Sequence, residues 1–133
     1  MIPPFNDNGY LPPGVHRATL EEAQERFGHG SEQRETLSQS LEWLVLLCRA
    51  AGIAKILLNG SFVTDRPEPN DLDCVLLPGP EFKDDHVATR ELQEGLPFMD
   101  IQIVDEVNYN LFREAIFGVD RNFRSKSVVE VLL

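Results

Sequence analysis

Cysteine is scarce in this chain, with two in 133 residues. Cys48 and Cys74 make neither a disulfide framework nor a metal-ligand spacing. Cys48 falls on the apolar side of a predicted helix and Cys74 inside a predicted strand, so both read as buried, reduced thiols. Long hydrophobic runs are missing too. No stretch approaches the roughly twenty apolar residues of a membrane span. The opening "MIPPFNDNGYLPP" lacks the basic region and apolar core of a signal peptide, so a cytoplasmic protein with no membrane partner is expected. The three histidines, His16, His29 and His86, are too far apart to share a metal, and each reads as surface or structural. Ser61 stands in "NGSFV", without the second glycine of a nucleophile elbow, which leaves a hydrolase reading little support.

Basic residues are outnumbered as well. Twelve Lys and Arg face 22 Asp and Glu, a formal charge of −10. Such a surface repels polyanions unless its cations are gathered into one patch. The one noticeable gathering is Arg121, Arg124 and Lys126 around Phe123. A chain of this length holds a single core, residues 1–133, and buries about two-thirds of its unfolded surface.

Apolar periodicity sets out the elements. The first fifteen residues, rich in Pro, Gly and Asn, predict an irregular arm laid across the body by Ile2, Phe5, Tyr10 and Leu11. Thr19 with Glu22 forms a capping box for a short helix ending near Gly28. Ser31 caps a longer helix in which Leu37, Leu41, Leu44, Val45 and Cys48 recur at helical spacing, until Gly52 stops it. Strands follow at 55–59 and 72–77. A helix over about 85–93, a strand over 98–104, a helix capped by Asn108 and ending near Gly118, and a last strand over 127–133 complete the order α-α-β-β-α-β-α-β.

The chemistry concentrates in "AKILLNGSFVTDRPEPNDLDCVLL". A buried strand delivers the small-residue turn Gly60-Ser61, an irregular loop follows, and the next strand opens with Asp71 and Asp73, whose i, i+2 spacing turns both to one face. Two acids side by side repel one another and call for a compensating cation, of which a hard divalent ion is the usual one. Glycine allows close backbone approach, and the Ser61 amide and hydroxyl are donors suited to phosphate oxygens. In "PFMDIQIVD", Met99, Ile101 and Ile103 alternate with Phe98, Asp100, Gln102 and Val104, placing a third acid in mid-strand.

This ordering, Gly60-Ser61 closing one strand and Asp71-Leu72-Asp73 opening the next, resembles the signature of the DNA polymerase β-like nucleotidyltransferases, and most of all the minimal nucleotidyltransferases of bacteria. The segments "NGYLPPGVHRATLEEAQERFG", "GSFVTDRPEPNDLD" and "RSKSVVEVLL" resemble landmarks of a short bacterial family assigned to that group. The resemblance implies a small α/β (α+β) nucleotidyltransferase-like fold, a mixed sheet with helices packed on one side. It implies catalytic and metal-binding roles for Asp71, Asp73 and Asp100, with Mg²⁺ or Mn²⁺ as cofactor. Nucleotide binding would fall to Gly60, Ser61 and Arg66, with Lys83 and Arg90 as further candidate phosphate contacts. Transfer of a nucleoside monophosphate from a nucleoside triphosphate to a hydroxyl acceptor is the implied activity. The implied setting is a toxin–antitoxin or phage-defence pair, with a protein acceptor or cognate partner favoured over tRNA. The competing readings are a catalytically degenerate, antitoxin-type partner-binding module and a tRNA-modifying toxin.

Overall fold

The structure is a computed structural model of the chain and describes residues 2–116 and 127–133. In chain order the elements are strand β1 (Gly14–Ala18), helices α1 (Leu20–Phe27) and α2 (Glu32–Ala51), strand β2 (Ile53–Asn59), and a 3-10 turn (Ser61–Val63). Strand β3 (Leu72–Pro78), helix α3 (Val87–Glu94), strand β4 (Met99–Ile103), helix α4 (Glu106–Leu111) running into a π-helical turn (Phe112–Ile116), and strand β5 (Ser127–Leu132) follow. The five strands form one mixed sheet in the order β1-β5-β2-β3-β4. β1 runs parallel to β5, β5 and β3 both run antiparallel to β2, and β4 runs parallel to β3. This is a small α/β fold of the α+β kind, as the periodicity predicts.

Local chemistry accounts for the helix ends. Thr19 and Glu22 form the capping box of α1, and the Ser31 side chain accepts the Arg34 amide at the start of α2. Gly52 closes α2 in the left-handed conformation, φ 86°, its amide donating to the Cys48 carbonyl at 3.1 Å. A Cβ there would stand 2.5 Å from the Glu81 carbonyl oxygen. Gly52→Ala therefore combines a left-handed side chain with a backbone clash, and it is expected to destabilise the fold by about 2 kcal/mol, read as a lower urea midpoint at unchanged slope.

One face of the sheet carries Ile56, Leu58, Leu72, Cys74, Leu76, Val129 and Val131, and against it lie α1, α2 and α3. Leu37, Leu41, Leu44, Val45 and Cys48 of α2 are all buried there, each large side chain stabilising by roughly 2 kcal/mol. Both cysteines are free and buried, as expected; burial pushes the Cys48 thiol up to about 12.

Three expectations need correction. The arm does not stay irregular through residue 15, because residues 14–18 form β1 on the sheet edge, held parallel to β5. Helix α4 starts earlier than expected: the cap is Asp105, whose side chain accepts the Asn108 amide, so Asn108 is the capped residue rather than the cap. Not every helix lies on one side, since Tyr109 of α4 packs on the opposite face with Leu57, Val75 and Val128. The expected helix end near Gly118 and the cluster Arg121, Arg124 and Lys126 lie outside the described residues. Among the described residues no helix is long and apolar enough to cross a membrane.

Topology gathers the motif residues. Because β2 is antiparallel to β3 and β3 parallel to β4, the end of β2 and the starts of β3 and β4 meet at one end of the sheet. α2 enters β2 through the single residue Gly52, so its N-terminus returns to that same end.

Candidate functional site

The site begins where β2 ends. Asn59 is buried and pairs with Asp73 across the β2–β3 ladder. Gly60 then leaves the strand with φ 91° and ψ −170°, and a Cβ at this position would stand 2.9 Å from Oδ2 of Asp73. Any side chain here would be strained and would press on that carboxylate, so only glycine lets the turn close beside the acid.

Asp73 is half-buried in β3, and its ladder partner in β4 is Asp100, which is exposed. Cα partners on adjacent strands point to the same face, roughly 5 Å apart, so these two acids stand side by side. That face is the one opposite α1, α2 and α3. The Cys74 thiol, which faces the other way, is held well above its usual range by burial first, then by Cys48, Asp73 and Asp100, so both carboxylates make themselves felt there. Asp71 is exposed, one residue ahead of β3 and two ahead of Asp73. Asp73 and Asp100 thus share a face of the sheet. Among the described residues no group of three or more His, Cys, Asp or Glu side chains is placed to hold a metal ion. Like-charged carboxylates keep apart, and Asp71 lies outside the ladder that would fix it.

A cleft of about 570 Å³ opens beside the turn. Gly60, Ser61 and Arg66 line one side of it, and Asn8, Gly9 and Tyr10 of the N-terminal arm line the other. The arm is fixed by its own hydrogen bonds, with Asn6 Oδ1 accepting the amides of Asn8 and Tyr10, and by the Asp65 amide donating to the Gly9 carbonyl at 2.9 Å. The three residues proposed for phosphate contact thus share one cavity. Lys83 and Arg90 do not join it. The Lys83 amide bonds the Ala51 carbonyl at the other end of the sheet, and α3, which carries Arg90, packs against α2 on the other face. His86 is structural, its Nδ1 accepting the Ala88 amide at the start of α3.

Two groups of residues escaped the sequence reading. The first is Arg34. Its guanidinium is buried and donates to the carbonyls of Phe27 (3.0 Å), Phe62 (2.9 Å), Thr64 (2.6 Å) and Arg66 (3.1 Å). It fastens the whole 61–66 loop to α1 and α2, and so sets the wall of the cleft. Desolvation lowers its pKa, with Asp65 acting in the opposite direction. The second is Glu130 in β5, 1% exposed, which accepts the Tyr109 hydroxyl at 2.7 Å and Arg17 Nε at 3.2 Å and lies 3.5 Å from Arg113 Nε. Burial, then the bond to Glu130, pushes the Tyr109 hydroxyl up. This cluster ties β1, α4 and the π-helical turn to β5. A lone acid inside "SVVEVLL" was its only sequence signal.

The chain belongs to a family of unknown function, DUF6932, whose family model matches residues 3–131. No curated protein matches it, and no solved structure does.

Proposed function

We propose that this chain is a metal-dependent nucleotidyltransferase with a nucleotidyltransferase-like fold, moving a nucleoside monophosphate from a nucleoside triphosphate to a hydroxyl acceptor. The observation that supports this most is the pairing of Asp73 with Asp100 at the end of the sheet where Gly60 closes against Asp73 and Ser61 and Arg66 line a cleft.

Adjacent carboxylates are hard oxygen donors of the kind Mg²⁺ and Mn²⁺ prefer, and one or two are enough beside substrate phosphates, so Asp73 and Asp100 would hold the ion and Asp71 would have to move in from the adjoining loop to join them. Bound there, the ion would supply charge neutralisation on the triphosphate and on the attacking and leaving oxygens. The rest falls to the protein. Ser61 would donate to phosphate oxygens through its hydroxyl and amide, the missing side chain of Gly60 gives the phosphates room, and Arg66 brings a cation to the cleft. Asp100, the more exposed acid of the pair, would accept the proton of the incoming hydroxyl as the new P–O bond forms and pyrophosphate leaves.

Charge bears on the acceptor. A net −10 disfavours encounter with RNA and favours a polypeptide, such as the cognate member of a toxin–antitoxin or phage-defence pair. The second reading is a catalytically degenerate domain that binds a partner without transfer, and the place of Asp71 outside the β3 ladder speaks for it. Thermal melting divides the two. With Mg²⁺, at least one of the four nucleoside triphosphates at a hundred times its dissociation constant would stabilise the fold by about 2.7 kcal/mol, visible as a clear rise in Tm. An unchanged Tm with all four at millimolar concentration would leave only the degenerate reading.

A further inference from the structure

β4 forms one edge of the sheet, and among the described residues no strand pairs with its outer side. The opposite edge, β1, is entered through Pro12 and Pro13 and carries Arg17, features that discourage further pairing. β4 has neither. Its five residues, "MDIQI", hold no proline and no lysine, and its register with β3 runs without a bulge.

The ladder decides which main-chain groups are left over. The Leu72 amide donates to the Phe98 carbonyl at 2.9 Å and the Val104 amide to the Leu76 carbonyl at 3.0 Å, so between them Asp100 and Gln102 turn their main-chain groups toward β3. The Met99 amide is taken by the Leu96 carbonyl at 3.3 Å. The Met99 carbonyl, the amide and carbonyl of Ile101 and the Ile103 amide therefore face outward. Side-chain cover stops at the same edge: Met99, Ile101 and Ile103 lean on the core but stay half-buried, whereas Ile56, Leu58, Leu72, Cys74 and Leu76 on the same face are fully buried.

A strand laid antiparallel on this edge would bond to Ile101 and face Asp100 with a non-hydrogen-bonded partner, the pairing that brings Cα atoms to about 4.5 Å and side chains closest. That partner would share the face of Asp73 and Asp100. A serine or threonine there would carry its hydroxyl level with the Asp100 carboxylate. Charge selects the rest of the segment. Between Arg90 and Arg113 the chain has no base, while Glu91, Glu94, Asp100, Asp105 and Glu106 occupy or flank β4, all but Glu91 of them exposed. Basic side chains on an incoming strand would meet carboxylates there.

We propose that the outer edge of β4 docks the acceptor, an extended, basic polypeptide segment that adds as a sixth strand and sets a serine or threonine opposite Asp100. The proposal rests on the nucleotidyltransferase reading and names its acceptor class. In the transfer the Oγ of that residue attacks the α-phosphorus and its proton passes to Asp100. The Oγ–P bond forms as the α–β phosphoanhydride bond breaks, and pyrophosphate leaves.

The experiment uses synthetic peptides in which Lys and Val alternate around a central Ser, so that Lys shares the Ser face and Val meets Met99, Ile101 and Ile103. Two controls are the same peptide N-methylated at alternate residues and a peptide with Glu in place of Lys. Binding to the full chain is read by fluorescence anisotropy, transfer by label from α-labelled nucleoside triphosphates with Mg²⁺, and nucleotide binding by thermal shift. The Lys peptide is expected to bind and to take label on Ser, and the Glu peptide to bind more weakly. N-methylation and Ile101→Pro are each expected to weaken binding by roughly tenfold, the worth of one or two main-chain hydrogen bonds. Proline is tolerated at an edge position whose amide faces outward, so the rise in Tm with Mg²⁺-nucleoside triphosphate should survive in Ile101→Pro. Should that variant fold poorly, the N-methylated peptide decides alone. No binding of the Lys peptide at millimolar concentration, equal binding by the N-methylated or the Glu peptide, or a bound peptide that takes no label while a nucleotide raises the Tm would overturn the docking edge and leave the transferase reading standing. An unchanged Tm with all four triphosphates would bring down both.

Discussion

Asp73→Asn is expected to lower nucleotidyl transfer by on the order of a hundred- to a thousandfold while leaving the fold intact. The assay follows label from an α-labelled nucleoside triphosphate, with Mg²⁺, into the polypeptide encoded by the adjacent gene or into tRNA. Asn keeps the shape of Asp but removes the charge that stands beside Asp100 and against Gly60. Removing one preorganised electrostatic contact from a transition state costs rate of this order. Because Asn is close to Asp in shape and volume, the ligand-free variant should still melt in one cooperative transition, with its fold intact. Lost transfer with an unharmed fold identifies a site residue. Full transfer by this variant would sink the three-acid reading. Should the label enter RNA, transfer should fall steeply with added salt, because phosphates are then being neutralised; label on a polypeptide should be only mildly salt-sensitive.

Arg34→Met is expected to destabilise the chain by about 3–5 kcal/mol in urea unfolding. The methionine fills much of the same space but donates nothing, and the carbonyls of Phe27, Phe62, Thr64 and Arg66 lose the cation that joined them. Each buried carbonyl left without a donor costs about 1–3 kcal/mol before relaxation, which the loop reduces by opening to water. Arg34→Lys should recover little, since one ammonium cannot reach carbonyls spread around a planar fork. The same substitution bears on the site, because the carbonyls concerned belong to the loop that carries Ser61 and Arg66. A loss under 1 kcal/mol would mean the loop holds itself.

Much of this arrangement was legible in the residues, for a physical reason that also marks where legibility ends. Side-chain direction along a strand is fixed by a period of two, so the outward direction of Asp73 and Asp100, away from Leu72, Cys74, Met99 and Ile101, followed from spacing alone; Asp71 falls one residue short of β3, where that period no longer applies, and Asp100 stands near the start of β4 rather than in its middle. Helix ends were legible where a side chain meets a nearby amide, as at Thr19 and Ser31, or where only glycine fits, as at Gly52. Asn108 misled because Asp105, three residues earlier, competes for the same role and its carboxylate reaches the Asn108 amide. The adjacency of β3 and β4 was not legible, for it arises through the α3 crossover and through contacts distant in sequence. β1 was hidden because "GVHRA" is short, carries His16 and Arg17, and follows a proline-rich arm; its partner is β5, over a hundred residues on. Arg34 gave no signal because its partners are backbone carbonyls, which every sequence has. Glu130 reads as an anomaly in an apolar strand until Arg17, Tyr109 and Arg113 are brought to it from three other elements.

The placement of β5 between β1 and β2 also orders events during synthesis. Among the described residues β1 is the first strand in chain order, yet it pairs with β5, the last of the five. Until β5 emerges, β2 presents an open edge along Lys55 to Leu58, and the Tyr109 hydroxyl and Arg17 lack the carboxylate that joins them. The nascent chain can assemble α2, β2, β3 and β4 while still tethered, with the sheet left incomplete through its middle. Completion of the sheet waits on β5, which enters between two open edges, one parallel and one antiparallel, and carries the buried acid in with it.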